Sequence, residues 1–195
     1  MPMTYAAAQS FGRMQRLSRG RALLLVVDVQ EKFVPAIHGI DRVERNLQGL
    51  LRLFRRFEIP VLFTEQYPKG LGHTLPSLTA AYPSATPFEK THFDACLEPG
   101  FMERFRLLHR KQVLIAGIES HVCVQQTARA LKEHGYDLYA IADAISSRTQ
   151  DNRDIGLGLM RQSGVAITST EAVLMELLIS AEDRLFKEVL DFLKE

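Results

Sequence analysis

The sequence is poor in cysteine, and neither sign of charge dominates it. Of 195 residues, only Cys96 and Cys123 are cysteines. Two separated thiols make neither a disulfide framework nor a closely spaced metal motif, and no CxxC redox pair is present. A reducing compartment is the expected setting. Lys and Arg number 24 against 23 Asp and Glu, a formal net charge of +1. A nucleic-acid binder would carry a basic excess or stripe, so no nucleic-acid partner is expected. No apolar run approaches the roughly 20 residues that cross a bilayer, so no membrane partner is expected either. Internal repeats, low-complexity tracts and a Pro/Gly/Ser-rich linker are also lacking. The chain reads as one well-cored domain.

Residues 1–21 contain Arg13, Arg16, Arg19 and Arg21 but no acid. They have no apolar h-region, so they do not read as a secretory signal, though the composition is faintly that of a transit peptide. We read 1–21 as a basic N-terminal extension and 22–195 as a single domain. The expected location is cytoplasmic, with the mitochondrion as the minor alternative.

What is there is alternation. The run ALLLVVD over 22–28 is continuously apolar up to its last residue, as in a strand buried on both faces. Residues 41–58 place Val43, Leu47, Leu50, Leu51, Phe54 and Phe57 at helical spacing. Further strands are expected at 61–63, 88–90, 112–116, 137–142 and 165–168. Helices are expected over 100–109, 122–134, 151–162, from 169 or 170 toward 179, and over 183–193. Residues 66–87, rich in Pro and Gly, read mostly as loop. A β-α-β-α order implies a three-layer α/β/α fold around a six-stranded parallel sheet, Rossmann-like in arrangement.

Functional groups in such sheets gather beyond the carboxyl ends of the strands. Asp28 ends the first expected strand, Thr64 and Glu65 the second, and Lys90 the third. Glu119 to Cys123 follow the fourth, and Asp143 and Arg148 the fifth. Taken singly, each has a plain reading: Asp28 as a turn residue, Lys90 as a solvated lysine, Cys123 as a small buried side chain. Taken together, they put an acid, an amine and a thiol on one edge of the sheet.

A thiol at a helix start faces unpaired N–H groups and the positive end of the helix dipole. Both favour thiolate, the nucleophilic form, and a Lys90 ammonium nearby would favour it further. Asp28 opposes thiolate, so its expected role is to accept the thiol proton and return it to a leaving group. Backbone N–H groups of Ile118, Glu119 and Cys123 are the expected oxyanion donors.

Five segments in order, LLLVVDVQEKF, TEQYPKGLGHT, FEKTHFDAC, LIAGIESHVCVQQTA and ADAISSR, resemble the isochorismatase-like cysteine hydrolases, most closely the isochorismatase domain-containing subgroup. The resemblance implies a catalytic triad of Asp28, Lys90 and Cys123, a non-proline cis peptide at Ile118–Glu119, no organic cofactor, and assembly as a homo-oligomer. The metal-dependent nicotinamidase branch carries Asp-x-His after the second strand; here FTEQYP stands there, and His73 is the only histidine in the following loop. We therefore expect no metal.

With a cysteine present, acyl transfer from a small amide or related carbonyl is the preferred reading. The alternatives are vinyl-ether hydrolysis using Asp28 as general acid, and a non-catalytic scaffold or regulatory protein of the same fold. A thiol-redox role is a weaker third. Gln30 either holds the Asp28 loop or faces solvent. Phe33, Tyr67, His92 and Phe93 are candidates to line a substrate pocket, although aromatics at such spacing more often pack. Arg148 is a candidate partner for an anionic substrate, and Glu119 either activates water or caps the helix. His121 stands two residues from Cys123 and is not expected to be its base. Cys96 is expected to be structural.

Overall fold

A computed structural model describes residues 15–194. Strand β1 (Ala22–Val27) is buried throughout, as its unbroken apolar run requires. It pairs in parallel with β2 (Val61–Gln66) on one side and with β4 (Gln112–Gly117) on the other. β3 (Phe88–Lys90) extends the sheet beyond β2; β5 (Asp137–Ile145) and β6 (Ala166–Thr168) extend it beyond β4. The sheet is six-stranded and parallel, in the order β3-β2-β1-β4-β5-β6.

The helices make the outer layers. α1 (Ile40–Arg56) buries Val43, Leu47, Leu50, Leu51 and Phe54, the stripe its spacing predicts. It packs on β5 together with α7 (Thr170–Leu178), beside α8 (Phe186–Lys194). The opposite face carries α5 (Gln125–Glu133) and α6 (Gln150–Gln162), with α4 (Phe101–Arg106) nearer the β3 edge. Two short helices, α2 (Pro68–Leu71) and α3 (Pro76–Ala81), occupy a segment expected to be loop; each starts on a proline. Proline is well suited to a first helical turn, where no N–H is needed.

Leu17 is 2 % exposed and belongs to the core, and Arg19 donates to the Leu177 carbonyl and to Asp183. Packing therefore begins before β1. Residues 1–14 of the expected extension lie outside the described residues. Among the described residues, no helix is long and apolar enough to cross a membrane.

The chain moves from β1 outward to β2 and β3, then returns to the other side of β1 for β4. Helices leaving β1 and β4 thus diverge to opposite faces and open a crevice at their carboxyl ends.

Candidate active site

Asp28 leaves β1 with φ 53°. Left-handed backbone is uncommon for residues with side chains, and Asp is among those that tolerate it. The Gln30 N–H donates to the Asp28 carbonyl at 2.9 Å and closes the turn. Asp28 Oδ1 accepts from Thr64 Oγ1 at 2.7 Å, and Oδ2 accepts from Lys90 Nζ at 2.7 Å.

Lys90 ends β3, in register with Gln66 at the end of β2. Its side chain spans β2 to reach Asp28. Nζ also donates to Gln66 Oε1 at 2.7 Å and to the His92 carbonyl at 3.3 Å. An ammonium has three N–H bonds, so all three donors are occupied. The plain reading of Lys90 as a solvated lysine is overturned, because its side chain is 0 % exposed.

The thiol arrives from β4. Gly117 has φ 114°, and a Cβ there would stand 2.1 Å from the Val27 carbonyl oxygen, so the position admits only glycine. The Ile118–Glu119 peptide is cis. Ser120–Val124 then forms one wide π-helical turn leading into α5. This differs from the α-helix start expected at 122. The turn is tied down by the Ser120 N–H donating to the Ser146 carbonyl and by Ser120 Oγ donating to the Arg153 carbonyl, each at 2.9 Å. Gly156 lets α6 approach: a Cβ there would lie 2.3 Å from Ser120 Oγ and 2.5 Å from its carbonyl carbon.

Cys123 stands close enough to Asp28 and Lys90 for both to act on its proton, Asp28 raising and Lys90 lowering its pKa. Burial is the largest influence and pushes the thiol well above its usual range; Asp28 pushes it further, and Lys90 offsets part of this. Of the influences weighed in the sequence, the helix start and Lys90 are therefore the weaker side, and a thiol proton for Asp28 to accept fits the site. Desolvation at a residue only 6 % exposed outweighs the ammonium.

One expected oxyanion donor is also corrected. The Ile118 N–H donates to the Val27 carbonyl at 2.9 Å. Ser120, Val122 and Val124 likewise spend their N–H groups on the carbonyls of Ser146, Glu119 and Glu119. Glu119 and Cys123 remain as candidates.

The structure distributes the other expected site residues. Gln30 is fully buried; Nε2 donates to the Gln66 and Gly72 carbonyls, and Oε1 accepts from the Gln66 N–H. Its amide thus holds the strand ends together and does not face a ligand. Phe33 packs partly against the core. Tyr67 is exposed and lines a cavity of about 370 Å³ with Pro68, Lys69, Glu89, Lys90, Thr91 and Glu98; Asp28 and Cys123 are not in its wall. His92 Nδ1 lies 2.7 Å from Glu98 Oε2, and Phe93 is exposed beside it. Arg148 donates through Nε and its backbone N–H to Glu119 Oε1, at 3.0 and 3.2 Å. Each of these two residues therefore already has a charged partner.

His121 Nδ1 lies 3.1 Å from Ser147 Oγ. Cys96 is half-buried, and burial first, then Asp94, push its thiol upward. Asp143 lies inside β5, which is longer than expected, and accepts from the Thr170 N–H and hydroxyl at the start of α7. Glu65 Oε1 accepts from the Thr74 N–H and hydroxyl, and its Oε2 lies 3.1 Å from His73 Nδ1. Among the described residues, no group of three or more His, Cys, Asp and Glu is placed to hold a metal ion.

Sequence reasoning gave Thr64 and Gln66 no role, yet both touch the cluster directly. A signal existed in the alternation of FTEQ: Thr64 and Gln66 share one face of an otherwise buried strand, an unusual place for polar groups.

Fold and site together define a doubly wound parallel α/β protein whose candidate catalytic cluster stands at the point where strand order reverses. The Isochorismatase domain model matches residues 22–172. The chain belongs to the isochorismatase family, and its architecture is that of an isochorismatase-like hydrolase. It is 41 % identical over 174 residues to Isochorismatase domain-containing protein 2 of Danio rerio, covering 89 % of this chain and 87 % of the relative. It is 36 % identical over 184 residues to Isochorismatase family protein 1A of Dictyostelium discoideum, covering 92 % and 89 %. A solved structure of the MAR1 ribonuclease from Caenorhabditis elegans superposes with a TM-score of 0.86 at 35 % identity, covering 93 % of each chain.

Proposed function

We propose that the protein is a cysteine hydrolase of small amides or related carbonyl compounds, acting through a thioester on Cys123. The observation that carries this reading is the meeting of Asp28, Lys90 and Cys123, from three separate segments, in one buried cluster. Cys123 rests as a thiol. As Sγ attacks the carbonyl carbon, its proton passes to Asp28, and Lys90 balances the negative charge near the sulfur. The N–H groups of Glu119 and Cys123 serve the oxyanion. Asp28 then gives its proton to the departing amine as the C–N bond breaks; a primary amide releases ammonia. Water deprotonated by Asp28 attacks the thioester, and the proton returns to the sulfur as the acid leaves. No cofactor or metal takes part.

Thr64 and Gln66 act as positioning residues, one for the Asp28 carboxylate and one for the Lys90 ammonium. Self-association belongs to the same proposal: Ile155 and Leu159, one turn apart on α6, are 56 % and 36 % exposed. Light scattering of the purified chain tests it.

The ribonuclease named for the Caenorhabditis elegans relative supplies a second reading, carried by 35 % identity. Against it stand the near-neutral charge and a thiol with little exposure. A panel of small amides assayed for ammonia release, with mass spectrometry of Cys123, separates the two. An acyl adduct that vanishes in Cys123→Ala supports the hydrolase. Cleavage of RNA at rates unaffected by Cys123→Ala, without amide turnover, refutes it.

A further inference from the structure

Thr91 and His92 follow Lys90 directly, and both are held by one distant carboxylate. Glu98 Oε2 accepts from the Thr91 N–H at 2.8 Å, the Thr91 hydroxyl at 3.2 Å and the His92 N–H at 3.1 Å. The His92 ring nitrogen lies 2.7 Å from the same oxygen. Four polar groups thus converge on a single atom. The same His92 presents its carbonyl to Lys90 Nζ at 3.3 Å. Farther along, the Ala95 N–H donates to Thr127 Oγ1 at 3.0 Å. Thr127 lies in α5, four residues after Cys123. Segment 91–98 therefore joins the Lys90 end of β3 to α5, the helix that continues the turn bearing the thiol.

We propose that Glu98 is a positioning residue: by clamping the main chain of Thr91 and His92, it keeps the His92 carbonyl as third acceptor for the Lys90 ammonium. A fully buried ammonium with one donor unfilled is poorly solvated, so the clamp fixes both the place and the charge of Lys90. The catalytic meaning of this rests on the cysteine-hydrolase reading; the effect on Lys90 does not. The ionisable groups around Lys90 are Asp28 from β1 and Cys123 from the π-helical turn. Those around Glu98 are His92, with Lys69 and Glu89 in the adjoining cavity.

The test uses the full chain with ¹⁵N-labelled lysine. In the wild type, the buried Lys90 ammonium should exchange its protons slowly. Glu98→Ala should speed that exchange roughly tenfold, and should slow Cys123 alkylation at a fixed pH by about tenfold, because Lys90 favours the thiolate. Glu98→Gln keeps an acceptor oxygen and should recover part of both effects, which a purely structural loss would not. Glu98→Asp, which draws the carboxylate back from the Thr91 and His92 N–H groups by one methylene, carries the test if Glu98→Ala does not fold. Unchanged Lys90 exchange in the folded variants overturns the proposal. Faster exchange with a wild-type Cys123 that resists alkylation upholds the clamp and counts against the triad instead.

Discussion

Replacing Asp28 with Asn keeps the shape of the side chain and removes its charge, leaving Lys90 as a buried cation with only neutral acceptors. The pair is 2.7 Å apart, with side-chain exposures of 0 % and 1 %. At an effective dielectric near 20, that separation corresponds to an attraction of about 6 kcal/mol. Removing one partner of a buried pair costs about 3–5 kcal/mol after relaxation. For a chain of this length, each kcal/mol lowers Tm by about 2–4 °C, so Asp28→Asn should melt roughly 6–20 °C early. Removing the cation as well should restore much of the loss. Asp28→Asn/Lys90→Met leaves no buried charge, and apolar replacement of a buried pair is often neutral. Urea unfolding and scanning calorimetry of the wild type, the single variant and the double variant measure the coupling, while both variants should be inactive. A single variant as stable as the wild type, or a double variant no more stable than the single, would refute the assignment of an ionised, mutually dependent pair.

Gly156→Ala should push α6 from the nucleophile turn, because its Cβ meets Ser120 at 2.3–2.6 Å; a loss of about 1–3 kcal/mol in urea unfolding is expected, with reduced turnover. Gln66→Leu leaves one Lys90 donor unfilled and should lower stability by about 1–3 kcal/mol and slow Cys123 alkylation, measured by mass spectrometry with Cys96 as the internal comparison. Glu98 is held at about 2, first by the His92 ring and then by the Thr91 N–H. A depressed carboxyl stabilises above its ordinary value near 4.5 and loses that contribution as pH falls through about 2. The His92 amide signal should therefore shift with a midpoint near 2, and a midpoint at the ordinary carboxylate value counts against the clamp.

Hydrophobic periodicity carried the alternation of strands and helices and put Asp28, Lys90 and Cys123 at one edge of the sheet, and the resemblance to isochorismatase-like cysteine hydrolases named them as a triad. Continuous apolar runs report burial on both faces, and strand ends in a parallel sheet report where functional groups collect. The limits were equally physical. Pro68 and Pro76 punctuate what reads as a long loop, yet each starts a short helix, because proline fits a first turn as well as a break. Nothing local showed that Ile118 spends its N–H on Val27, since that bond depends on strand order. The weight of burial on Cys123 also escaped the sequence: a helix start favours thiolate, but desolvation is the larger influence and raises the thiol. Lys90, taken singly, reads as a solvated lysine, and nothing in the sequence marks Glu98, until Asp28, Gln66, Thr91 and His92 are brought against them. Sequence determines which faces are apolar and which residues end each strand. Only the tertiary structure decides how strongly a charge is desolvated and which partners meet it, because both depend on neighbours distant along the chain.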